Sequence, residues 1–176
     1  MGKITLITGG IRSGKSSYAL TLASGKESKV FIATSLPFDD EMKVRIERHK
    51  KERDASFQTI EEPIHLASAL KSVRHDMDII IVDCIAVWLG NIFHFRKQVS
   101  MEMPEISNFL NAIKKFSIRT VIITNEVNMG LVDRTTLNRC YQDIIGMVNK
   151  QLAYMANDVV LMVSGIPVII KNSTRF

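Results

Sequence analysis

Cysteine is nearly absent. Cys84 and Cys140 are the only two among 176 residues, which excludes a disulfide framework or a thiolate metal site and suits a reducing cytoplasm. The four histidines do not stand at zinc-ligand spacing either. No apolar run approaches the roughly 20 residues that cross a bilayer. Met1-Gly2-Lys3-Ile4 leads directly into a strand pattern rather than a signal peptide, so the expected location is the cytoplasm. Aromatic residues make up 7%, with one tryptophan, and the stacking surfaces that single-stranded nucleic acid needs are scarce. Repeats, linker-like tracts and low-complexity stretches are missing too. What is present is an ordinary folded composition, 46% hydrophobic and 23% charged, with too much apolar surface for disorder. At this length a single domain, residues 1–176, is expected.

Acidic residues are the minority charge: 18 Asp and Glu face 23 Lys and Arg, a formal net charge of +5. The excess is local. Between Lys43 and Arg53, six basic residues (Lys43, Arg45, Arg48, Lys50, Lys51, Arg53) accompany two acidic ones (Glu47, Glu52), so this segment alone carries +4. A nucleic-acid surface calls for a broad basic face, often with aromatic platforms, and only Phe57 stands nearby. A compact polyanion such as a nucleotide is the expected partner, with no nucleic acid and no membrane span.

Short apolar or β-branched runs read as strands: Lys3 to Thr8, Lys29 to Thr34, Asp78 to Asp83, Thr120 to Thr124 and Asp158 to Val163. Nearly continuous apolar runs suit strands covered on both faces. Pro167 to Lys171 reads as a last strand, returning in a hairpin after Gly165. Helix-like stretches fall at about 15–25, 40–53, 63–74, 102–116 and 138–156. In the last, Tyr141, Ile144, Ile145, Val148, Leu152 and Met155 repeat at helical spacing and are expected to serve the core. Strand–helix alternation predicts a mostly parallel, doubly wound α/β sheet with an antiparallel C-terminal strand.

After the first strand, Gly9-Gly10-Ile11-Arg12-Ser13-Gly14-Lys15-Ser16 matches G-x-x-x-x-G-K-[ST] in full. Glycines let the backbone turn tightly and bring N–H groups against phosphate oxygens, and the following helix aims its positive end at the same place. Lys15 is expected to reach the β- and γ-phosphates, and the Ser16 hydroxyl to ligate Mg²⁺. The fold class is then a P-loop NTPase-like, three-layer α/β domain. Asp83 ends an apolar strand at the edge where such sheets hold ligands. It suits a water-bridged Mg²⁺ or a nucleotide hydrogen bond, with a helix N-cap as the alternative. Glu126, just past Ile122-Ile123-Thr124, stands at the equivalent edge.

Pro37-Phe38-Asp39-Asp40 reads as a turn and helix cap with Glu41 in the first turn. Met42, Ile46, His49 and Arg53 then share one face, and Arg45 and Arg53 lie one turn either side of His49. A neutral imidazole is a nucleophile toward phosphorus, and guanidinium groups hold the phosphate under attack. Spacing alone leaves open a solvated helix face on which His49 is a bystander. His65, His75 and His94 lack such a cluster and read as bystanders.

In combination these residues resemble the bifunctional cobinamide kinase / cobinamide-phosphate guanylyltransferase family of cobalamin biosynthesis. The likeness is carried by Thr8-Gly-Gly-Ile-Arg-Ser-Gly-Lys-Ser16, Ile32-Ala-Thr-Ser35, Asp40-Glu-Met42 with Arg45-Ile46 and His49-Lys50, and Asp83-Cys84-Ile85. Thr124-Asn-Glu-Val127, Met129-Gly130, Val148-Asn149 and Val163-Ser-Gly-Ile166 continue it in family order along nearly the whole chain. The resemblance implies two reactions at one site. A nucleoside triphosphate, ATP or GTP, phosphorylates the aminopropanol hydroxyl of adenosylcobinamide. GTP then guanylylates a histidine with release of pyrophosphate, and the cobinamide phosphate takes up the GMP.

His49 matches that nucleophile. The resemblance carries nucleotide contacts onto Gly9, Gly10, Ile11, Arg12, Ser13, Gly14, Lys15 and Ser16, and onto Thr34, Ser35 and Leu36. It extends them to Lys50, Lys51, Glu52 and Arg53, and to Glu61 and Asp83, and it implies a homotrimer. The chain departs from the family where Asn128 stands for a common glycine and where Asp54 and Asp133 stand for prolines. Asp83 replaces a glutamate, and Arg48 stands where a second histidine sometimes occurs. The rival readings are a P-loop kinase of another small molecule, with His49 structural, and a nucleotide-binding module without turnover.

Overall fold

The computed structural model describes residues 2–96, 102–127 and 135–173; Asn128, Met129, Gly130 and Asp133 lie outside the described residues. Along the chain run β1 (Ile4–Gly9), α1 (Lys15–Leu22), β2 (Lys29–Ala33), α2 (Asp40–Lys51), β3 (Phe57–Glu61), α3 (Leu66–Ser72) and β4 (Ile79–Asp83). There follow α4 (Ile85–Arg96), α5 (Pro104–Lys115), β5 (Arg119–Ile123), α6 (Thr136–Met155), β6 (Asp158–Val163) and β7 (Ile166–Asn172). The strands form one sheet in the order β3-β2-β4-β5-β1-β6-β7. Every described pairing is parallel except β6 with β7.

The centre of the sheet is built from the runs that looked buried on both faces: Ile79, Ile80, Ile81 and Val82 of β4 are all 0% exposed. Helix α1 packs on β1 and β5, and α3 packs on α5 and α5 on α6. The α6 stripe behaves as its spacing predicts. Ile144, Ile145, Val148 and Leu152 are buried, and Tyr141 and Met155 pack against the core from its margin. The expected C-terminal hairpin is present. Ser164 (φ 50°) and Gly165 (φ 85°) make a two-residue turn with positive φ at both central positions, the geometry that matches strand twist.

Two elements were not expected. β3 is an edge strand with only Phe57 and Ile60 half-buried and the rest exposed, so Phe57-Gln-Thr-Ile-Glu61 contains no apolar run to mark it. Conversely, α4 buries Ile85, Ala86, Trp88, Leu89, Asn91 and Ile92. A helix apolar on nearly all sides has no polar stripe and shows little helical periodicity. It is tied down by side-chain amides: Asn91 Nδ2 donates to the carbonyls of Thr34 (2.7 Å) and Pro63 (3.2 Å), and Trp88 Nε1 to that of Ile64 (2.7 Å). These bonds hold α4 across the carboxyl ends of β2 and β3, the edge at which such sheets bind ligands.

Candidate active site

The phosphate loop needs its glycines for space as well as for torsion. Gly9 has φ 144°, and a Cβ there would lie 2.5 Å from the Met162 carbonyl oxygen. Gly14 has φ 92° and opens α1, and a Cβ there would press on the Gly165 Cα at 3.3 Å. Gly165 N–H in turn donates to the Ser13 carbonyl (3.1 Å), so the β6–β7 turn braces the loop. Lys15 Nζ donates to the carbonyls of Gly9 (3.0 Å) and Gly10 (2.6 Å). Burial lowers the pKa of its ammonium; Asp83 opposes the shift and Arg45 adds to it.

Ser16 Oγ donates to Asp83 Oδ2 at 2.8 Å, joining the start of α1 to the end of β4. Burial raises the Asp83 carboxyl above its ordinary range, while Ser16, His49, Lys15 and Arg45 pull it back down. Behind it, the fully buried Thr34 accepts a hydrogen bond from the Cys84 N–H (2.8 Å) and donates to the Cys84 carbonyl (3.0 Å). Its hydroxyl therefore fixes the backbone that presents Asp83. A hydroxyl and a carboxylate side by side make an all-oxygen donor pair, which fits Mg²⁺ completed by phosphate oxygens and water. No larger cluster of metal-binding side chains occurs among the described residues.

The second wall is α2. Asp39 caps it by accepting the Met42 N–H at 2.7 Å. Asp40 and Glu41 occupy its first turn and Arg48, His49, Lys50 and Lys51 its last, an arrangement the helix dipole favours. None of its residues is buried. Rather than covering the sheet, α2 closes a cleft of about 790 Å³ over the phosphate loop and the ends of β2, β3 and β4. Seven Lys and Arg side chains line that cleft against four Asp and Glu, and of the basic residues between Lys43 and Arg53 all but Lys51 are among them. On the lower wall, Lys50 pairs with Glu61 at 3.0 Å, and hydrogen bonding to Glu61 raises the lysine's pKa. Arg53 lies 4.2 Å over the Phe31 ring.

The residues named from sequence mostly converge. Ile11 to Ser16, Ser35, His49, Lys50, Glu52, Arg53, Glu61 and Asp83 line this one cleft. Gly9 and Gly10 hold Lys15 from beneath. Thr34 is fully buried behind Asp83, Leu36 is half-buried and Lys51 exposed, and none of the three is on the lining. Among the further residues of the lining are Arg45, signalled by its one-turn spacing from His49, and Asn125. Asn125 is held through Asn149 of α6, whose Nδ2 donates to the Asn125 carbonyl (3.1 Å) while its Oδ1 accepts from Thr124 (2.8 Å). Glu126 is anchored beside the loop, its N–H donating to the Gly9 carbonyl (3.1 Å). Cys84 also borders the cleft, but burial and the charge of Asp83 push its thiol up to about 12, which leaves it unreactive.

Comparison with solved structures bears on the fold. The chain superposes on the RadB recombinase with a TM-score of 0.53 at 20% identity, covering 91% of this chain and 74% of that one. On an ATPase of a bacterial type III secretion system the TM-score is 0.57 at 9% identity, over 93% of this chain and 52% of the other. At such identities the likeness is one of P-loop NTPase-like architecture. Sequence comparison reaches further. The model of the family described as "Cobinamide kinase / cobinamide phosphate guanyltransferase" matches residues 5–170. The bifunctional adenosylcobalamin biosynthesis protein CobU of Escherichia coli is 35% identical over 178 aligned residues, 94% of this chain and 98% of that protein. Its counterpart in Salmonella typhimurium is 37% identical with the same coverage, and CobP of Pseudomonas aeruginosa 34% over 94% and 96%. With a phosphate loop and a basic histidine helix facing each other across one cleft, and with this match along the chain, the protein belongs to the cobinamide kinase / cobinamide phosphate guanyltransferase family.

Proposed function

We propose that this chain phosphorylates adenosylcobinamide and then guanylylates the product, using the single cleft for both steps. In the first, the aminopropanol hydroxyl oxygen bonds to the γ-phosphorus of ATP or GTP. The bond to the β-phosphate oxygen breaks, and a proton and the nucleoside diphosphate leave. In the second, an imidazole nitrogen of His49 bonds to the α-phosphorus of GTP, and pyrophosphate departs. A phosphate oxygen of cobinamide phosphate then displaces the histidine, so the P–N bond breaks and adenosylcobinamide-GDP forms. Two displacements through a high-energy phosphoramidate avoid assembling a triphosphate and a bulky corrinoid for direct attack at one phosphorus.

The observation that carries this reading is the placement of His49 in the same cleft as Lys15, Ser16 and Asp83. Lys15 and the loop N–H groups would receive the phosphates, Ser16 and Asp83 would hold Mg²⁺, and Arg45 and Arg53 stand one turn either side of the imidazole. When bound, Mg²⁺ neutralises charge on the phosphate oxygens. Lys50, Glu61 and the end of β2 surround the rest of the nucleotide. We further propose a homotrimer in the cytoplasm. Val163, Ile166, Val168, Ile169 and Ile170 leave an apolar strip exposed along the outer β6–β7 hairpin, and a neighbouring protomer would cover it. Among the described residues no helix is long and apolar enough to cross a membrane.

Labelled GTP tests both halves. With γ-labelled GTP the label should move to cobinamide, and with α-labelled GTP it should end in the guanylylated product. Transfer of the γ-label alone would reduce the protein to a kinase.

A further inference from the structure

Phe38, His94 and Phe95 form an aromatic step on the ligand edge of the sheet. Phe38 meets His94 edge-on with ring centroids 5.4 Å apart, and His94 meets Phe95 in the same manner at 5.6 Å. The two phenylalanines are 58% and 59% exposed, an unusual amount of large apolar surface to leave together in water. The step has a fixed place. Asn91 pins α4 to the carbonyls just past β2 and β3, and His94 and Phe95 follow within about one turn. Phe93 turns away, packing edge-on against Tyr141 at 5.6 Å. The charge next in line is neutralised, because Arg96 pairs with Glu105. Pro37 lines the nucleotide cleft, and Phe38 is the next residue, so the step is continuous with the cleft mouth.

We infer that Phe38, His94 and Phe95 seat the macrocycle of the corrinoid acceptor while its aminopropanol arm reaches past Pro37 into the cleft. This rests on the acceptor assigned under the proposed function. A cleft of about 790 Å³ is of the size that takes one drug-sized ligand, and the nucleoside triphosphate fills that role. A corrin ring, broad and fringed with methyl and carboxamide groups, is too large to enter beside it and must rest outside with only its arm inserted. The cationic walls suit phosphate oxygens. The aromatic step suits the broad surface of a ring.

The test uses the full chain and the double variant Phe38→Ala/Phe95→Ala, which removes only exposed side chains. Equilibrium dialysis of cobinamide reads the seat without turnover. The dissociation constant is expected to rise about tenfold or more in the variant, with the same sedimentation coefficient as the wild type. An unchanged constant overturns the inference. So does a loss of oligomeric state in the variant, which would make the step a contact between copies. Labelling of His49 by GTP in the wild type, run in parallel, tests the function itself: its absence removes the guanylyl step, whereas the dialysis result decides the seat.

Discussion

The Ser16 hydroxyl and the Asp83 carboxylate are hydrogen-bonded partners, Oγ donating to Oδ2 across 2.8 Å. This contact joins the phosphate loop to the neighbouring strand end and sets two oxygens side by side that would hold Mg²⁺ under the proposed function. Asp83→Asn keeps the shape and removes the charge; both kinase and guanylylation rates should fall by about 100-fold or more. Asp83→Glu restores the residue common in the family and should retain most activity. Steady-state release of nucleoside diphosphate and of pyrophosphate at saturating Mg²⁺ measures both, and equal losses in the two variants would contradict the role.

Arg45 lies one turn from His49 and borders the same cleft as Lys15 and Asp83. Its charge acts on both of those groups, and under the proposed function it would neutralise the phosphate that His49 attacks. Arg45→Ala should slow single-turnover labelling of His49 by about 100-fold while weakening GTP binding much less. Arg45→Lys should recover part of the rate, because it restores charge without the planar fork.

Asn149 satisfies two groups at once, the Thr124 hydroxyl and the Asn125 carbonyl. Asn149→Ala leaves both without this partner beneath the cleft and should destabilise the fold by about 1–3 kcal/mol. A urea titration should show the midpoint falling with an unchanged slope.

The phosphate loop was legible because its chemistry is contiguous: eight consecutive residues hold the glycines, the lysine and the hydroxyl. The basic helix was legible because Arg45 and Arg53 stand one turn either side of His49. That His49 faces Asp83 was not, since one lies on α2 and the other ends β4, and only the sheet brings them together. Thr34 shows the opposite limit. Read from the resemblance as a nucleotide contact, it is fully buried and its hydroxyl serves the Cys84 backbone, a partner 50 residues away that no local pattern reveals. β3 and α4 escaped because one is too polar and the other too uniformly apolar for their periods to show.

Asp54, where the family commonly has proline, forms an ion pair with the buried Lys29 at 2.7 Å. Hydrogen bonds from Lys29 and Ser56 lower its pKa from 3.8 to about 2. A depressed carboxyl pKa contributes stability that is complete above the unfolded value and is lost as the pH falls through the folded one. The stability difference between wild type and Asp54→Asn should therefore be constant above about pH 5 and shrink toward zero near pH 2. Denaturant midpoints across that range check it; a difference that grows on acidification would contradict the pairing.

The central claim is that His49 carries GMP between GTP and the acceptor. Intact-protein mass spectrometry after incubation with GTP and Mg²⁺, without corrinoid, tests it most directly. Wild type should gain the mass of one GMP, stable to alkali and lost in acid, and His49→Ala should gain none. An unmodified wild type, or an equal adduct on His49→Ala, would contradict the account.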